Sequence, residues 1–303
     1  MRSEMKIDRR EFVETTLTLL GGIPFSLFGS AKEDFEPIRF GIVTDIHYAD
    51  RPNPSSTTRF YRESLGKLSE CIDLMNQQEV DFLIELGDFK DQGAVPKEEE
   101  TLIFLNTVEK EFRRFKGPRY HVLGNHDHDS ISKQQFLERI SNEGFDRASN
   151  YYSFNKNSFH FIVLDANYTS LGKAYDRGKF DWTDAHIPKN QLEWLKNDLF
   201  MNKMPVVIFI HHRLDTPPVD SLYCPDNADG VRKMLEDAGN VVIVFQGHYH
   251  EGGVSSLNNI HYYTLKALVE GAGPENNNYA IVEINKDLIV RIKGYRKTES
   301  LDL

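Results

Sequence analysis

The sequence predicts an α/β fold, because apolar runs typical of buried strands alternate with helical patterns along most of the chain. Several of these runs are followed directly by aspartate, asparagine or histidine, so side chains that can bind metals or transfer protons lie at the ends of the predicted strands. Of the 303 residues, 40% are hydrophobic and 27% are charged, which is enough apolar material for a large core. No repeat, low-complexity tract or linker divides residues 36–298, and we expect one domain there.

The amino-terminal half of this domain contains three strand candidates, each followed by a helical pattern. The strands are expected at 38–44, 82–86 and 120–123, and the helices near 59–75, 102–115 and 136–140. In the two longer helical stretches the apolar residues recur at spacings of three and four, which places them on one helix face.

The carboxyl-terminal half predicts strands at 159–164, 206–210, 241–245, 262–265, 279–284 and 288–292, with helices near 188–199 and 231–235. Three long loops are expected at 166–188, 212–229 and 251–275, where glycine and proline interrupt the pattern. Aromatic residues in these loops either stack a base of the substrate or pack the loop itself. They are Tyr168, Tyr175, Trp182, Tyr223 and Tyr262.

The first 31 residues have the pattern of an export signal. Arg9 and Arg10 precede a moderately apolar segment, 17–28, and small residues follow at 29–31. The paired arginines resemble the twin-arginine signal, so we expect export to the periplasm or another extracytoplasmic space. The alternative is an amphipathic helix that stays attached. The segment is too short and too polar to predict a stable membrane anchor.

The charge of the chain limits its partners. A formal net charge of −10 argues against a nucleic-acid-binding surface and against binding to an anionic membrane. An acidic protein can still handle phosphates if metal ions supply positive charge. The two cysteines, Cys71 and Cys224, form neither a metal-binding pair nor a disulfide framework, and Cys71 is expected to be a buried apolar residue.

Polar side chains at five strand ends form the candidate site. They are Asp45 and His47, then Asp88, then Asn125 and His126, then His211, and finally His248 and His250. Ligands of α/β sheets gather outside the carboxyl ends of strands, so strands lying side by side would bring these residues together. Each pattern alone is also compatible with an ordinary turn. Together they predict a metal site, because bare carboxylates are costly to bury and mixed imidazole and carboxylate donors suit zinc, manganese or iron.

Taken in order, Asp-x-His, Gly-Asp, Gly-Asn-His-Asp, His and Gly-His-x-His resemble the calcineurin-like metallophosphoesterases over residues 38–250. The resemblance implies a four-layer α-β-β-α sandwich with two divalent or mixed-valence metal ions at the carboxyl ends of the strands. One ion would be held by Asp45, His47, Asp88 and His250. The other would be held by Asp88, Asn125, His211 and His248.

The same resemblance implies hydrolysis of a phosphoester by a metal-bridging hydroxide, with His126 as the catalytic histidine that protonates the leaving oxygen. Asp127 is expected either to fix the tautomer of His126 or to cap the following helix. Arg62 and Arg213 are candidates for gripping a second phosphate, with solvated arginines as the alternative. His212 is a weaker candidate for substrate contact, and a place at the rim of the site is its other interpretation.

Sequence around the ligand positions narrows the class of substrate. Gln92 stands where protein serine/threonine phosphatases carry an arginine, and Asp91 stands where purple acid phosphatases carry a tyrosine. Segments 44–50, 60–64 and 248–253 are more similar to manganese-dependent ADP-ribose/CDP-alcohol diphosphatases and to cyclic-nucleotide and glycerophosphodiester phosphodiesterases. His47 departs from those diphosphatases, which have glutamine there.

We therefore expect a metal-dependent phosphodiesterase or nucleotide diphosphatase that acts on a small phosphorylated substrate, such as a nucleotide or a nucleoside diphosphate derivative. A phosphomonoesterase of broad specificity is the first alternative. An inactive binding protein that keeps the fold is the second, and the complete set of ligand positions argues against it.

Overall fold

Twelve strands and five helices position the site in the computed structural model, which describes residues 35–53, 55, 57–145, 149–215 and 221–303. The strands are β1 Ile38–Val43, β2 Phe82–Glu85, β3 Arg119–His121, β4 Tyr152–Lys156, β5 Phe159–Leu164, β6 Val206–Ile210, β7 Val241–Gln246, β8 Gly253–Leu257, β9 Ile260–Thr264, β10 Asn278–Ile284, β11 Val290–Arg296 and β12 Leu301–Asp302. The helices are α1 Ser64–Gln78, α2 Glu98–Phe112, α3 Lys133–Leu137, α4 Lys189–Met201 and α5 Ala228–Ala238. The expected export signal at 1–31 lies outside the described residues.

The strands form two six-stranded sheets. Their orders are β12-β11-β10-β1-β2-β3 and β4-β5-β6-β7-β9-β8. Strands β1, β2 and β3 are parallel to one another, as are β5, β6, β7 and β9. Because parallel strands share an edge for their carboxyl ends, each sheet presents its strand ends on one side. Residues from the two edges touch: His211 after β6 donates from Nδ1 to the carbonyl of Leu86 after β2, at 2.8 Å.

The core lies in three layers between and outside the sheets. Between the sheets, the Phe40 ring stacks on Phe82 at 4.7 Å and meets three further phenylalanine rings from the opposite sheet edge-on. Helices α1 and α2 pack on the outside of the first sheet, and α4 and α5 pack on the outside of the second. The predicted four-layer α-β-β-α sandwich is confirmed. Central strands are buried on both faces, which explains their continuous apolar runs.

Three edge strands were not predicted. Strand β4 has serine and asparagine at alternate positions, and β8 has two consecutive serines. Strand β12 is only two residues long. None of the three therefore has an apolar run. Within the expected loop region 251–275, the predicted strand at 262–265 is confirmed as β9, and the missed strand β8 forms an antiparallel hairpin with it. An edge strand needs only one hydrogen-bonded neighbour and leaves one side to solvent, which permits such polar sequences.

Two smaller expectations concern burial. Cys71 is fully buried on α1, as its place on an apolar helix face predicted. Among the described residues, no helix combines the length and the apolar character needed to cross a bilayer.

A candidate metal centre between the two sheets

The five predicted strand ends come together where the carboxyl edges of the two sheets meet. Asp45 and His47 follow β1, Asp88 follows β2, Asn125 and His126 follow β3, His211 follows β6, and His248 and His250 follow β7. The strands belong to two facing sheets, as the four-layer sandwich implies. The site therefore bridges the sheets.

The first group of donor atoms surrounds His47. Its Nε2 lies 3.7 Å from Asp45 Oδ1 and 3.5 Å from Asp88 Oδ2. His250 Nε2 lies 3.4 Å from the same Asp45 oxygen and 3.3 Å from His47 Nε2. Donor atoms of Asp45, His47 and His250 all lie within 4.8 Å of one another, a spacing that could hold a metal ion.

The second group shares Asp88 with the first. His211 Nε2 lies 3.2 Å from Asp88 Oδ2, and with His248 these residues again offer donor atoms within 4.8 Å of one another. Asp88 Oδ2 thus lies between His47 and His211. Asn125 lines the same cavity beside Asp88 and His248.

Four atoms of the predicted ligands are buried and have no hydrogen-bond partner among the described residues. They are Asp45 Oδ1, Asn125 Oδ1, His211 Nε2 and His248 Nε2. Buried polar atoms are seldom left unpaired in folded proteins, so each calls for a partner of another kind. Imidazole nitrogens mixed with carboxylate and amide oxygens suit manganese, iron or zinc. The residues fit the metal ions that their sequence pattern implied.

The backbone at the strand ends is strained. Asp45, His47, Asp88 and His248 have positive φ angles of 51°, 46°, 56° and 69°. This left-handed region is uncommon for residues other than glycine and clusters at functional sites. It turns each chain sharply at the end of its strand, where these side chains gather.

Partners of the second ring nitrogen orient three of the histidines. His47 Nδ1 lies 3.2 Å from Asp91 Oδ2, and His250 Nδ1 lies 2.6 Å from Glu270 Oε1. With the bond from His211 to the Leu86 carbonyl, all three rings keep Nε2 directed at the cluster. Neither Asp91 nor Glu270 was predicted as a site residue. Glu270 lies in a loop directly after Ala267, Leu268 and Val269, a buried apolar stretch too short to be recognised as a strand in the sequence.

His126 lies at the rim of the cluster with 28% of its side chain exposed. Its backbone nitrogen donates to Asp88 Oδ1 at 2.8 Å, and its Nδ1 lies 2.6 Å from Asp129 Oδ2. Lys90, which is fully buried, donates from Nζ to the carbonyls of His126 and Asp129. The position of this imidazole is therefore set from both its backbone and its ring.

Asp127 does not contact the ring of His126, which corrects the expected pairing. Its Oδ2 accepts hydrogen bonds from the backbone nitrogens of Gly124 at 2.8 Å and Asp88 at 3.1 Å. Its Oδ1 accepts one from Phe89 at 3.0 Å. Nor does it cap the following helix, because Ser132 is the residue that caps α3. Asp127 connects the ends of β2 and β3 through these hydrogen bonds. The position beside the His126 ring, which was expected for Asp127, is occupied by Asp129.

The cavity over the cluster has a volume of about 480 Å³. It is lined by Arg59, Asp88, Asn125, His126, Trp182, Tyr223, His248, Tyr249, His250, Glu251 and Glu270. Arg59 was not singled out from the sequence. Its Nε lies 3.9 Å from Glu270 Oε1.

The three residues expected to contact substrate lie elsewhere. Arg62 is exposed and bonds to Asp50 at 2.5 Å. Arg213 is buried, and its guanidinium bonds to both oxygens of Asp215, at 3.2 Å and 3.0 Å. His212 is fully buried beside His248, with ring centroids 4.7 Å apart, rather than at the rim. These side chains do not line the described part of the cavity.

The carboxylates of the cluster hold protons on neighbouring imidazoles. Burial lowers the pKa of His211, but the Asp88 and Asp45 carboxylates outweigh it and raise the pKa to about 10. His126 behaves in the same way, with its pKa raised to about 9 by Asp88, Asp91 and Asp129. A site whose negative charge retains protons against burial also attracts divalent cations, which compete with those protons.

Comparisons with known proteins agree with this geometry. The model of the calcineurin-like phosphoesterase family matches residues 38–252. A manganese-dependent ADP-ribose/CDP-alcohol diphosphatase from Oryza sativa is 27% identical, over 85% of this chain and 91% of the relative. A 3′,5′-cyclic-nucleotide phosphodiesterase from Nostoc is 26% identical, over 75% of this chain and 76% of the relative.

A solved structure shares the fold. The crystal structure of a dimetal phosphatase from Danio rerio superimposes with a TM-score of 0.75 at 22% identity, over 88% of this chain and 99% of that chain. Since the family model covers most of the chain and the Oryza sativa relative matches 85% of it, the resemblance seen in the strand-end motifs is confirmed. This chain belongs to the calcineurin-like phosphoesterase family of metal-dependent phosphohydrolases.

Proposed function

We propose that this protein is a phosphodiesterase or nucleotide diphosphatase that works with two metal ions between its sheets. Asp45, His47, Asp88 and His250 would hold one ion, and Asp88, Asn125, His211 and His248 would hold the other. The observation that carries the proposal is the set of four buried donor atoms in one cluster that have no hydrogen-bond partner among the described residues, two of them on cavity-lining residues, Asn125 and His248. Manganese is the first ion to test, since the diphosphatase relative is named for it, and iron and zinc also suit the donors.

The residues of the chain have distinct tasks in such a reaction. When bound, divalent ions supply Lewis-acid activation of a water and stabilise charge on the phosphoryl oxygens. His126 faces the cavity and would donate its proton to the leaving oxygen. The hydrogen bond from its Nδ1 to Asp129 leaves Nε2 as the atom that gives up that proton. The backbone bond from His126 to Asp88 fixes the distance between this donor and the metal ligands.

Metal removal and two model substrates test the proposal. We expect the purified protein to hydrolyse bis(p-nitrophenyl) phosphate, to lose that activity on chelation, and to regain it with manganese, iron, zinc or cobalt. Asp88→Asn should lower turnover by at least about 100-fold, because it removes the carboxylate shared by both groups. Asp287→Asn, at an exposed aspartate of the β10–β11 turn, is the matched control and should be unaffected.

Two outcomes would contradict the proposal. Faster hydrolysis of p-nitrophenyl phosphate than of the diester, with the same metal dependence, would assign a broad phosphomonoesterase instead. No hydrolysis of either compound with any of the four metals would leave only a binding role for the fold.

We also propose that the protein is exported, on the grounds of Arg9, Arg10 and the apolar stretch that follows them. The test is a fusion of residues 1–36 to a reporter that is active only outside the cytoplasm. The double variant Arg9→Lys, Arg10→Lys should keep the reporter inside. Equal export of both forms would refute a twin-arginine signal, and retention of both would refute export itself.

A further inference from the structure

Three aromatic side chains form one wall of the cavity beside His248. In this aromatic wall, defined as Trp182, Tyr223 and Tyr249, the Trp182 ring meets the His248 ring edge-on at 5.5 Å. Tyr223 meets His248 at 5.2 Å and Tyr249 at 5.1 Å. The wall therefore starts directly at one of the proposed metal ligands and extends away from it.

The backbone around Trp182 is fixed by hydrogen bonds although it lies in an irregular loop. The Tyr175 hydroxyl donates to the carbonyls of Asp181 at 3.3 Å and Asp184 at 3.0 Å, on either side of the tryptophan. Asp181 Oδ1 accepts from both the backbone and the hydroxyl of Thr183, at 2.9 Å and 2.7 Å. A side chain whose backbone is fixed in this way binds a ligand without a large loss of conformational entropy.

Arg213 supports the other two members of the wall from behind. Its backbone nitrogen donates to the Tyr223 carbonyl at 2.9 Å, and its guanidinium lies 5.1 Å from the centre of the Tyr249 ring. Asp215, which bonds to that guanidinium, also accepts from Gln246 Nε2 at 2.8 Å. The arginine first considered for binding phosphate thus positions the aromatic wall.

The wall is not simply packing for the loop. Trp182 keeps 39% of its surface exposed, whereas Tyr175 and Tyr262, from the same set of loop aromatics, are fully buried. Apart from Tyr223 and Tyr249, the other residues that line the cavity are charged or polar, so the exposed tryptophan offers a flat apolar face to a ligand. Among the described lining residues, Arg59 is the single arginine or lysine. Basic side chains therefore contribute little to binding the part of a substrate that lies away from the metal cluster.

From these contacts we propose that the aromatic wall is a nucleobase subsite, with Trp182 as its main stacking residue. Base stacking on an aromatic side chain is tolerant of sequence and needs a flat, fixed and accessible ring. The phosphate of the same substrate would lie at the metal cluster, next to His248. This inference rests on the proposed function, and it names the substrate class as phosphoesters that carry a purine or pyrimidine.

Fluorescence tests the subsite without turnover. The chain has two tryptophans, so Trp194→Phe leaves Trp182 as the only one, and Trp194 packs on Tyr151 away from the cavity. We expect 5′-AMP to quench this emission with saturation, and ribose 5-phosphate, which lacks the base, to leave it unchanged. Equal responses to the two ligands, or no response to 5′-AMP, would overturn the proposal.

Kinetics provide the second test. Trp182→Leu should raise KM by roughly tenfold for 3′,5′-cyclic AMP or ADP-ribose, whichever the protein hydrolyses, with kcat within about twofold. Trp182→Phe should restore most of the loss, and glycerophosphocholine, which has no ring, should show none. Phe200→Ala, at an aromatic residue that is exposed on α4, is the control and should match the wild type.

The outcomes separate the subsite from the proposed function. If Trp182→Leu raises KM equally for substrates with and without a nucleobase, Trp182 has a structural role. That result would refute the subsite and leave the proposed function standing. If no phosphoester is hydrolysed, the proposed function fails, and the fluorescence titration still decides whether the wall binds a base. A preference for cyclic AMP or for ADP-ribose distinguishes a diester from a diphosphate substrate on the same wall.

Discussion

Asp127 and Asp129 lie two positions apart and do different work. The Asp127 carboxylate accepts backbone hydrogen bonds from Gly124, Asp88 and Phe89, whereas Asp129 bonds to the His126 ring at 2.6 Å. One residue builds the loop, and the other orients the proposed proton donor. A sequence reading cannot separate them, because both follow the same strand end.

A matched pair of variants separates the two aspartates. We expect Asp129→Asn to lower kcat by roughly 10–100-fold with metal content and thermal stability retained, because it weakens the hold on His126. Asp127→Asn should instead lower the free energy of unfolding by about 1–3 kcal/mol, since buried backbone donors lose an acceptor. Steady-state kinetics, metal analysis and urea denaturation measure the two effects. The reverse pattern would return the orienting role to Asp127.

Glu270 is the residue that fixes His250. Besides its bond to His250, it lies on a segment whose carbonyls at Leu268, Glu270 and Gly271 accept from the Lys67 ammonium at 3.0, 2.8 and 2.6 Å. Lys67 belongs to α1 and is almost fully buried. The orientation of one proposed metal ligand therefore depends on a helix in the outer layer.

Glu270→Gln should weaken metal binding by about 10–100-fold while leaving turnover at saturating metal largely intact. Titration of the chelated protein with manganese, followed by calorimetry, measures the affinity. Glu251→Gln is the control, because Glu251 lines the same cavity and is exposed. An unchanged affinity in Glu270→Gln would show that the His250 ring is held by other contacts.

At the scale of strands and helices, the sequence predicted the site residues that directly follow an apolar strand. Ligands such as Asp88 and His211 follow buried strands, so the end of each run marked them. A residue that supports a ligand, such as Asp129, comes from a loop, where the sequence pattern carries no such signal. The polar edge strands β4 and β8 were missed for the same physical reason, since one exposed side relaxes the demand for apolar residues.

A buried histidine joins three elements of the first sheet and its helix layer. His121 in β3 lies 2.9 Å from Glu85 in β2 and 3.2 Å from Glu109 in α2. Burial lowers the pKa of His121, but the two carboxylates outweigh it and raise the pKa to about 9. Because this value is above that of the unfolded chain, the pairing stabilises the fold fully below about pH 6.5 and loses that effect as pH rises through about 9.

This linkage predicts a pH-dependent effect of Glu109→Gln. The substitution should lower the free energy of unfolding by about 1 kcal/mol more near pH 6.5, where His121 is charged, than near pH 9.5, where His121 has lost its proton. Urea denaturation of both forms at the two pH values measures the difference. A cost that is equal at both would mean that His121 is neutral in the folded protein.

For the whole molecule, the proposed ions connect the two sheets. Asp45, His47, Asp88 and Asn125 follow strands of the first sheet, and His211, His248 and His250 follow strands of the second. Ions shared by the two edges would add to the apolar packing between the sheets. Unfolding would then require both to be lost together.

The melting temperature should therefore depend on metal. Manganese at about 100 times its dissociation constant should stabilise the chelated protein by about 2.7 kcal/mol, and the shift should grow with concentration. Differential scanning calorimetry with manganese, with magnesium and without added metal gives the comparison. Asp88→Asn should lose most of the shift. A melting temperature indifferent to every transition metal would contradict ions that join the sheets.

The left-handed backbone at Asp45, His47, Asp88 and His248 has a consequence for engineering this enzyme. Such conformations cost about 1–3 kcal/mol each, and glycine would relieve the cost but brings no donor atom. That relief is opposed by the loss of the buried hydrogen bonds that Asp45 and Asp88 accept and of the ions that would join the sheets. A thermostability screen run on the chelated protein removes the second of these penalties and so favours variants that have lost the site. An assay for hydrolysis must accompany such a selection from its first round.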